Sequence, residues 1–468
     1  MTWDLVIVGA GPAGMGAAIE ARIAGLSVLV LDEQSAPGGQ IYRQVERISA
    51  DEPARIAVLG PDYAHGAELV GAFRESGADY RPNALVWQIE PGKVWYLKDN
   101  IAVGAKAGRI LMATGALERP MTRPGWTLPG VMSAGGAQIL LKSSGLIPAT
   151  DTVLMGSGPL LYLVAGQILK AGGRVQAIVE TVPSARYLAA VPQLPTAIGT
   201  GYLSKGLRML LELRRAGLRI YRGACDLEVL GTGKAEAARF SHKGRKITLN
   251  TDIVILHEGV IPNQQITRLT NCAHRWNSAQ FCFEPETDGF GNASVEGLMI
   301  AGDGAGIGGA LAAEAGGRLA GLEAARALGK LATEVRDERA RPLQSRHRAL
   351  TRGRGFLETL YAPSAPVPQD DDTIVCRCEE ITAGQIREAV RIGATGPNQA
   401  KSFLRCGMGP CQGRMCGPTV TAIIADERQA SCEDVGYFRI RPPLKPIPLS
   451  SLAGADLGDE PPADRGAH

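Results

Sequence analysis

A chain of 468 residues, 45% hydrophobic and 21% charged, is long enough for about three domains and too apolar to remain disordered. A formal charge of +3 and 5% aromatic residues leave no electrostatic or stacking footprint for nucleic acid. No run reaches the ~20 apolar residues that span a bilayer, and Met1-Thr-Trp-Asp-Leu-Val-Ile-Val enters a strand without a secretory leader. The expected setting is the cytoplasm, with any membrane association made through partners.

The first predicted unit is a strand, Leu5-Val-Ile-Val, then Gly9-Ala-Gly-Pro-Ala-Gly14, an Ala-rich helix to Gly25 and a strand Val28-Leu-Val-Leu ending on Asp32-Glu33. This βαβ pattern carries a dinucleotide fingerprint. Gly9 permits the turn out of the strand, Gly11 lets backbone approach a pyrophosphate, and Gly14 lets the helix pack closely on the sheet. Pro12 and Ala13 open the helix, whose free N–H groups face the phosphates. Asp32 or Glu33, at the end of the second strand, is placed to accept hydrogen bonds from a ribose.

A second copy follows in Val153-Leu-Met-Gly-Ser-Gly158, a helix to Gly172, and Val175-Gln-Ala-Ile-Val-Glu180. The offsets agree (156 − 9 = 147 and 180 − 33 = 147), which favours Glu33 over Asp32 as the ribose acid. Leu161 stands where the third glycine belongs. It degrades the fingerprint and argues against a bound NAD, while Glu180 would select a ribose 2′-OH over a 2′-phosphate. No Cys-x-x-Cys accompanies this unit, so thioredoxin-reductase-like thiol chemistry is not expected.

From about Asp252 to Gly329, the strand-like runs Ile253-Val-Ile-Leu and Leu298-Met-Ile-Ala and a Gly/Ala-rich helix after Gly308 read as the returning half of the first domain. A charged stretch and then Pro363, Pro366 and Pro368 predict a helical connector and a stiff linker. His257 reads as a core-edge histidine, and no nucleophile–base constellation is apparent.

Nine cysteines stand at 225, 272, 282, 376, 378, 406, 411, 416 and 432, five of them between 376 and 416. In a reducing compartment such a cluster predicts a metal site. Cys376-Arg-Cys378 and Cys406-Gly-Met-Gly-Pro-Cys411-Gln-Gly-Arg-Met-Cys416 flank a helix-spaced stretch from Ile381 to Ile392, so thiolates from two loops can meet at one centre. Spacing alone leaves five cysteines competing for four places. Zinc is the alternative, although structural zinc sites more often use Cys-x-x-Cys at both ends. Arg377, Arg405 and Arg414 would offset the negative charge of four thiolates plus cluster. Cys225, Cys272 and Cys282 read as small apolar residues.

Four further stretches carry a family resemblance: Pro37-Gly-Gly-Gln-Ile-Tyr-Arg43, Ala113-Thr-Gly-Ala-Leu-Glu-Arg-Pro120, Pro124-Gly-Trp-Thr-Leu-Pro-Gly-Val-Met132 and Ala301-Gly-Asp-Gly-Ala-Gly-Ile-Gly308. With the fingerprint, they make nearly the whole chain resemble the FAD-containing alpha subunit of heteromeric bacterial amine dehydrogenases. That group includes opine oxidases, hydroxyproline and proline dehydrogenases and hydrogen cyanide synthase, with the sarcosine oxidase alpha chain more distant. The resemblance implies that Gly39 and Gln40 approach the flavin, that Thr114 and Gly115 lie beside the pyrophosphate, and that Val86 touches the adenine by its backbone. It also implies that Gly302 and Asp303 close the site, Asp303 holding the ribityl chain. The Cys-rich module resembles a bacterioferritin-associated-ferredoxin-like 2Fe–2S domain, departing from it in having Cys-x4-Cys for the second pair, as the opine oxidase group does. By that resemblance Cys376, Cys378, Cys411 and Cys416 are the ligands and Cys406 is a neighbour.

The fold class expected is α/β: two dinucleotide-binding (Rossmann-like) domains of the two-domain flavoprotein reductase type, plus a small C-terminal helical 2Fe–2S module. The boundaries read as 1–118 and 251–330 for the FAD domain, 119–250 for the second nucleotide-binding-like domain, 331–372 for the connector and linker, 373–435 for the module and 436–468 for an extended tail. The resemblance implies one component of an oxidoreductase that acts on CH–NH donors. It would pass electrons from an FAD-dependent, amine-oxidising beta subunit, in a complex that can include a small third subunit, to the respiratory chain or a quinone. An FMN at the subunit interface is a further cofactor the family allows. The alternatives are a self-sufficient NADH-dependent flavin/iron–sulfur reductase, and a scaffold whose cysteines bind zinc.

Overall fold

The computed structural model describes residues 2–363 and 367–454. Its first sheet runs in the order Asp79–Arg81, Val28–Leu31, Thr2–Val8, Ile101–Met112, Lys93–Lys98 and Leu85–Glu90, and Leu298–Ile300 also pairs with Ile101–Met112. The two-residue period of a strand sends alternate side chains to opposite faces. Leu5, Ile7, Val28 and Val30 join one core with the helices, whereas Val6, Val8, Leu29 and Leu31 join another on the opposite side.

The chain returns to this sheet far along the sequence, with Leu298–Ile300 in parallel register with Ile110–Met112. The helix that follows, Ala310–Ala327, lies directly on Pro12–Ile23. Small residues make that approach possible: a Cβ on Gly317 would sit 2.0 Å from the Ala13 carbonyl oxygen.

The second sheet is parallel throughout, in the order Arg219–Arg222, Val175–Glu180, Thr152–Ser157, Ile253–Glu258, Val131–Ser133. Ile253–Glu258 therefore lies inside the second sheet rather than in the returning half of the first. A strand buried on both faces is apolar throughout and reads alike for either sheet. The crossing back is made by Val260–Pro262, antiparallel to Ala116–Glu118.

The connector is the helix Thr333–Thr351, packed on Ala310–Ala327, followed by Arg354–Leu360, which docks on the second domain. There Gln193 Nε2 donates to Thr359 Oγ1 at 2.7 Å and the Tyr202 hydroxyl donates to the Leu350 carbonyl at 2.8 Å. The module contains the helices Ala383–Arg391, Pro397–Leu404, Gly417–Arg428 and Cys432–Val435, the first held by a Thr382/Gln385 capping box. Part of the expected tail is packed structure: Tyr437, Phe438, Ile440 and Leu444 are buried, and the Leu444 N–H donates to the Trp87 carbonyl at 2.8 Å. These apolar side chains complete a core that the module's short helices leave open. Pro366 and residues 455–468 lie outside the described residues.

The two nucleotide-type domains are also joined through buried polar contacts. Lys142 Nζ donates to Gln138 Oε1 at 2.8 Å and to the Gln40 carbonyl at 3.1 Å; Gln138 in turn donates to Gln167, which reaches the Leu59 carbonyl. Burial pushes the Lys142 ammonium down to about 7, with Arg43 adding to the effect. A base held below its unfolded value binds fewer protons folded than unfolded, so its contribution to stability rises with pH between the two values. Wild type should therefore gain stability over Lys142→Met on going from about pH 7 to about pH 9.5, read from urea unfolding midpoints. An identical difference at both pH values would contradict this.

Candidate functional site

The first glycine turn is built by backbone contact. Gly9 has φ +105°, and a Cβ on Gly14 would lie 1.9 Å from the Gly9 carbonyl oxygen, so the helix Pro12–Ile23 starts as near to the strand as atoms permit. Gly39 (φ +60°) crosses this turn, and a Cβ there would stand 2.9 Å from the Gly11 Cα. Gly11 itself meets nothing nearer than 3.9 Å and, as a glycine N-cap, offers no side chain to the first-turn N–H groups, so its side of the helix N-terminus is open. This is a cradle for a pyrophosphate, with free N–H groups and a partial positive charge.

The remaining expected residues surround that cradle. Ala113 closes against Gly9, Thr114 and Gly115 follow, and Gly115 packs on Gly304 and accepts the Asn263 N–H at 3.0 Å. A Cβ on Gly302 would lie 2.7 Å from that of Ala13, and Asp303 Oδ1 accepts the Gly308 and Gly309 N–H groups, both at 2.9 Å. Val86 lies beside the irregularity of the Leu85–Glu90 strand. Gln40 is exposed, its carbonyl held by Lys142. Nothing in the sequence marked that lysine, which sits in an otherwise ordinary helix, Ala134–Ser144.

The acid at the strand end is Asp32. It is buried, and its carboxylate accepts the Ala10 N–H at 2.6 Å and the Gln34 N–H at 2.7 Å. Burial pushes its carboxyl up, and those two donors oppose the shift. Glu33 is exposed and pairs with Lys445. The offset shared with Glu180 misled because Val175–Glu180 carries a register shift between Val175 and Ala177. Glu180 lies opposite Gly156, while Val8 pairs with Leu31, so the residue opposite Gly9 is Asp32.

In the second domain the corresponding groups are occupied by the protein. Glu180 is buried and accepts hydrogen bonds from the Tyr162 and Tyr187 hydroxyls, the latter at 3.0 Å. Leu161 is part of the core. His257 Nδ1 lies 2.5 Å from Glu118, whose carboxylate also takes the Ala134 and Gly135 N–H groups, and its ring stands against Gly158. His257 is thus a structural residue of the strand.

In the module, the sulfurs of Cys376, Cys406 and Cys416 lie within 4.8 Å of one another, all buried. The Cys376 thiol is pushed down to about 2, first by hydrogen bonds from Cys406 and Cys416. Cys378 is exposed and lies against Cys411. Three thiols thus meet closely and a Cys378–Cys411 pair stands beside them, soft donors of the kind that hold an iron–sulfur cluster. Cys406 is inside this group rather than merely beside it. Loop closure brings it there: Cys406 and Cys416 sulfurs are 4.0 Å apart across ten residues. Of the other cysteines, Cys272 and Cys282 are buried as expected, whereas Cys225 is exposed.

A two-sheet dinucleotide fold with a glycine cradle is shared by a large class of oxidoreductases, and the comparisons with known proteins agree. Residues 3–318 match the pyridine nucleotide-disulphide oxidoreductase family and residues 374–426 match the BFD-like [2Fe-2S] binding domain, and the chain belongs to that oxidoreductase family. More particularly, it is a homologue of an opine oxidase subunit of Rhizobium meliloti, 44% identical over 96% of this chain and 87% of the relative. It is 33% identical to hydrogen cyanide synthase subunit HcnB of Pseudomonas aeruginosa, over 97% of this chain and 99% of the relative. In fold it is similar to the L-proline dehydrogenase structure from P. horikoshii, with a TM-score of 0.68 and 19% identity over 97% of this chain and 79% of that one.

Because Gly11 has room within the protein but faces the cradle, Gly11→Val should fold normally and lose FAD. Purified variant with wild-type circular dichroism and less than about one-tenth of the flavin absorbance is the expected result. Full flavin occupancy would refute the assignment.

Proposed function

We propose that this chain is the FAD- and 2Fe–2S-carrying electron-transfer subunit of a heteromeric dehydrogenase that oxidises a secondary amine or amino acid of the opine, hydroxyproline, proline or glycine class. The oxidation itself is assigned to an FAD-dependent beta subunit, the further components being an interfacial FMN and a small third subunit. The acceptor is the respiratory chain or a quinone. The observation that carries this reading is one shared apolar core: Val8, Ile110 and Met112 of the flavin-type sheet cluster with Cys376, Cys406, Cys416 and Tyr437 of the module. A relay needs its two centres held on one body. Arg268 reinforces the junction, its guanidinium 4.6 Å from the Phe283 ring and 4.5 Å from the Tyr437 ring.

Within the flavin site, the Gly9–Gly14 turn with Pro12 and Ala13 is assigned the pyrophosphate, Thr114 and Gly115 its flank, and Asp32 the ribose. Gly39 and Gln40 are assigned the flavin side, Val86 the adenine, and Gly302 with Asp303 the ribityl chain. In the module Cys376, Cys378, Cys411 and Cys416 are assigned as ligands. Cys416 is preferred to Cys406 on the resemblance of the Gly407–Cys416 stretch to the opine oxidase group, the two sulfurs lying 4.0 Å apart. Cys406 is left to donate to the Cys376 sulfur. The bound flavin and cluster together supply conversion of two-electron into one-electron transfer, while the chain's residues hold them and exclude water. The occupied state of Glu180 argues against the NADH-reductase alternative.

The reading is tested by co-expressing the chain with its beta subunit. The complex should contain FAD, iron and acid-labile sulfide in this chain and oxidise an opine-class substrate, whereas this chain alone should not; oxidation by the chain alone, or zinc in place of iron, would contradict the proposal. Cys416→Ser should lose the visible iron–sulfur absorbance and Cys406→Ser should keep it. The reverse pattern would exchange the two residues' roles.

A further inference from the structure

The segment that leaves the module, Tyr437 to Lys445, touches both candidate sites. It begins on the glycines beside the cysteines. A Cβ on Gly413 would stand 2.5 Å from Phe438 Cδ2, and one on Gly407 would stand 2.7 Å from Phe438 Cζ. The Tyr437 hydroxyl fills the space that a Cβ on Gly417 would need, and it donates to the Gly413 carbonyl at 3.3 Å. Further along, the Pro443 carbonyl accepts a hydrogen bond from Gln412 Nε2, which ties the residue after Cys411 to the same segment.

The far end reaches the first domain at two points. The register shift between Val86 and Gln88 leaves Trp87 out of its strand ladder, and the Trp87 carbonyl accepts the Leu444 N–H at 2.8 Å. Lys445 pairs with Glu33. Glu33 lies inside the turn that the Asp32 carboxylate closes by accepting the Gln34 N–H at 2.7 Å, so the two acids are positioned together. The Asp32 carbonyl accepts the Ala84 N–H at 2.8 Å, and Leu444 is buried in one core with Ala84 and Leu31.

We propose that Tyr437–Lys445 is a strap that couples the two sites, so that flavin and cluster are each retained more tightly while the other is bound. The proposal rests on the cofactor assignments of the electron-transfer reading. Ordering the strap costs conformational entropy, which falls on the first site to fill and is spared the second. Such coupling is reciprocal, so a change at one end of the strap is felt at the other.

The test uses the purified full-length chain carrying its FAD and cluster, and two rates. FAD release is followed by the fluorescence of freed flavin on dilution, and iron loss by a ferrous chelator after reduction. Gln412→Leu cuts the strap at the thiol loop, and Lys445→Glu cuts it at the flavin-type domain. Gln412→Leu should release FAD, and Lys445→Glu should lose iron, about fivefold or more faster than wild type, with circular dichroism unchanged. The double variant should match the faster single variant at each site, because both changes act on one element. Wild type stripped of iron by the chelator should also release FAD faster by that factor, which decides the case if Gln412→Leu proves unstable. Variants that act only on their own site, effects that multiply in the double variant, or FAD release indifferent to iron removal would overturn the proposal. Wild type that holds neither FAD nor iron would instead fail the electron-transfer reading, whereas two cofactors held independently leave that reading standing.

Discussion

The structure depends on the apolar layer between one face of the first sheet and the thiol module. Strand alternation points Val6, Val8, Leu29 and Leu31 away from the helices, and these side chains would meet water without a cover. The module and the segment from Tyr437 to Leu444 contribute to that cover. Burying such surface is worth about 25 cal/mol per Å² of apolar area, so separating the module from the sheet would expose a large, unfavourable patch. The thiols are fixed relative to the glycine cradle as a consequence.

The same constraint explains the role of the second domain. Its nucleotide-type turn is kept, yet Glu180 is bound by Tyr162 and Tyr187, and the Arg354–Leu360 segment packs alongside. Arg186 and Gln193, on elements next to that turn, reach Thr359. The connector is thereby anchored on its way from the flavin-type domain to the module. The second domain thus holds the connector in place through these contacts.

Much of this was legible from residues alone because glycine and cysteine are specific in what they permit. Gly9, Gly11 and Gly14 marked a glycine turn, and the structure places Gly9 and Gly14 in close backbone contact with Gly11 left free on the cradle side. The cysteine spacing predicted two converging loops, which is how they lie. Three readings failed where the information was tertiary. A one-residue irregularity near Gln176 made Glu33 look equivalent to Glu180, when register selects Asp32. Ile253–Glu258 was apolar enough for either sheet, and pairing with Thr152–Ser157 decides it. Tyr437 and Phe438 looked like part of a proline-rich tail, yet they fill the module's core. Cys406 could not be placed by spacing, since its distance to Cys411 equals that of Cys411 to Cys416.

The central claim, that one rigid body carries a flavin and an iron–sulfur centre in series, is tested most directly by rapid-freeze electron paramagnetic resonance on the anaerobic complex after mixing with its amine substrate. The account predicts that a reduced 2Fe–2S signal grows in as substrate is consumed, and that it is absent from complex assembled with Cys416→Ser. Flavin reduction by substrate with no iron–sulfur signal from the wild-type complex would contradict it.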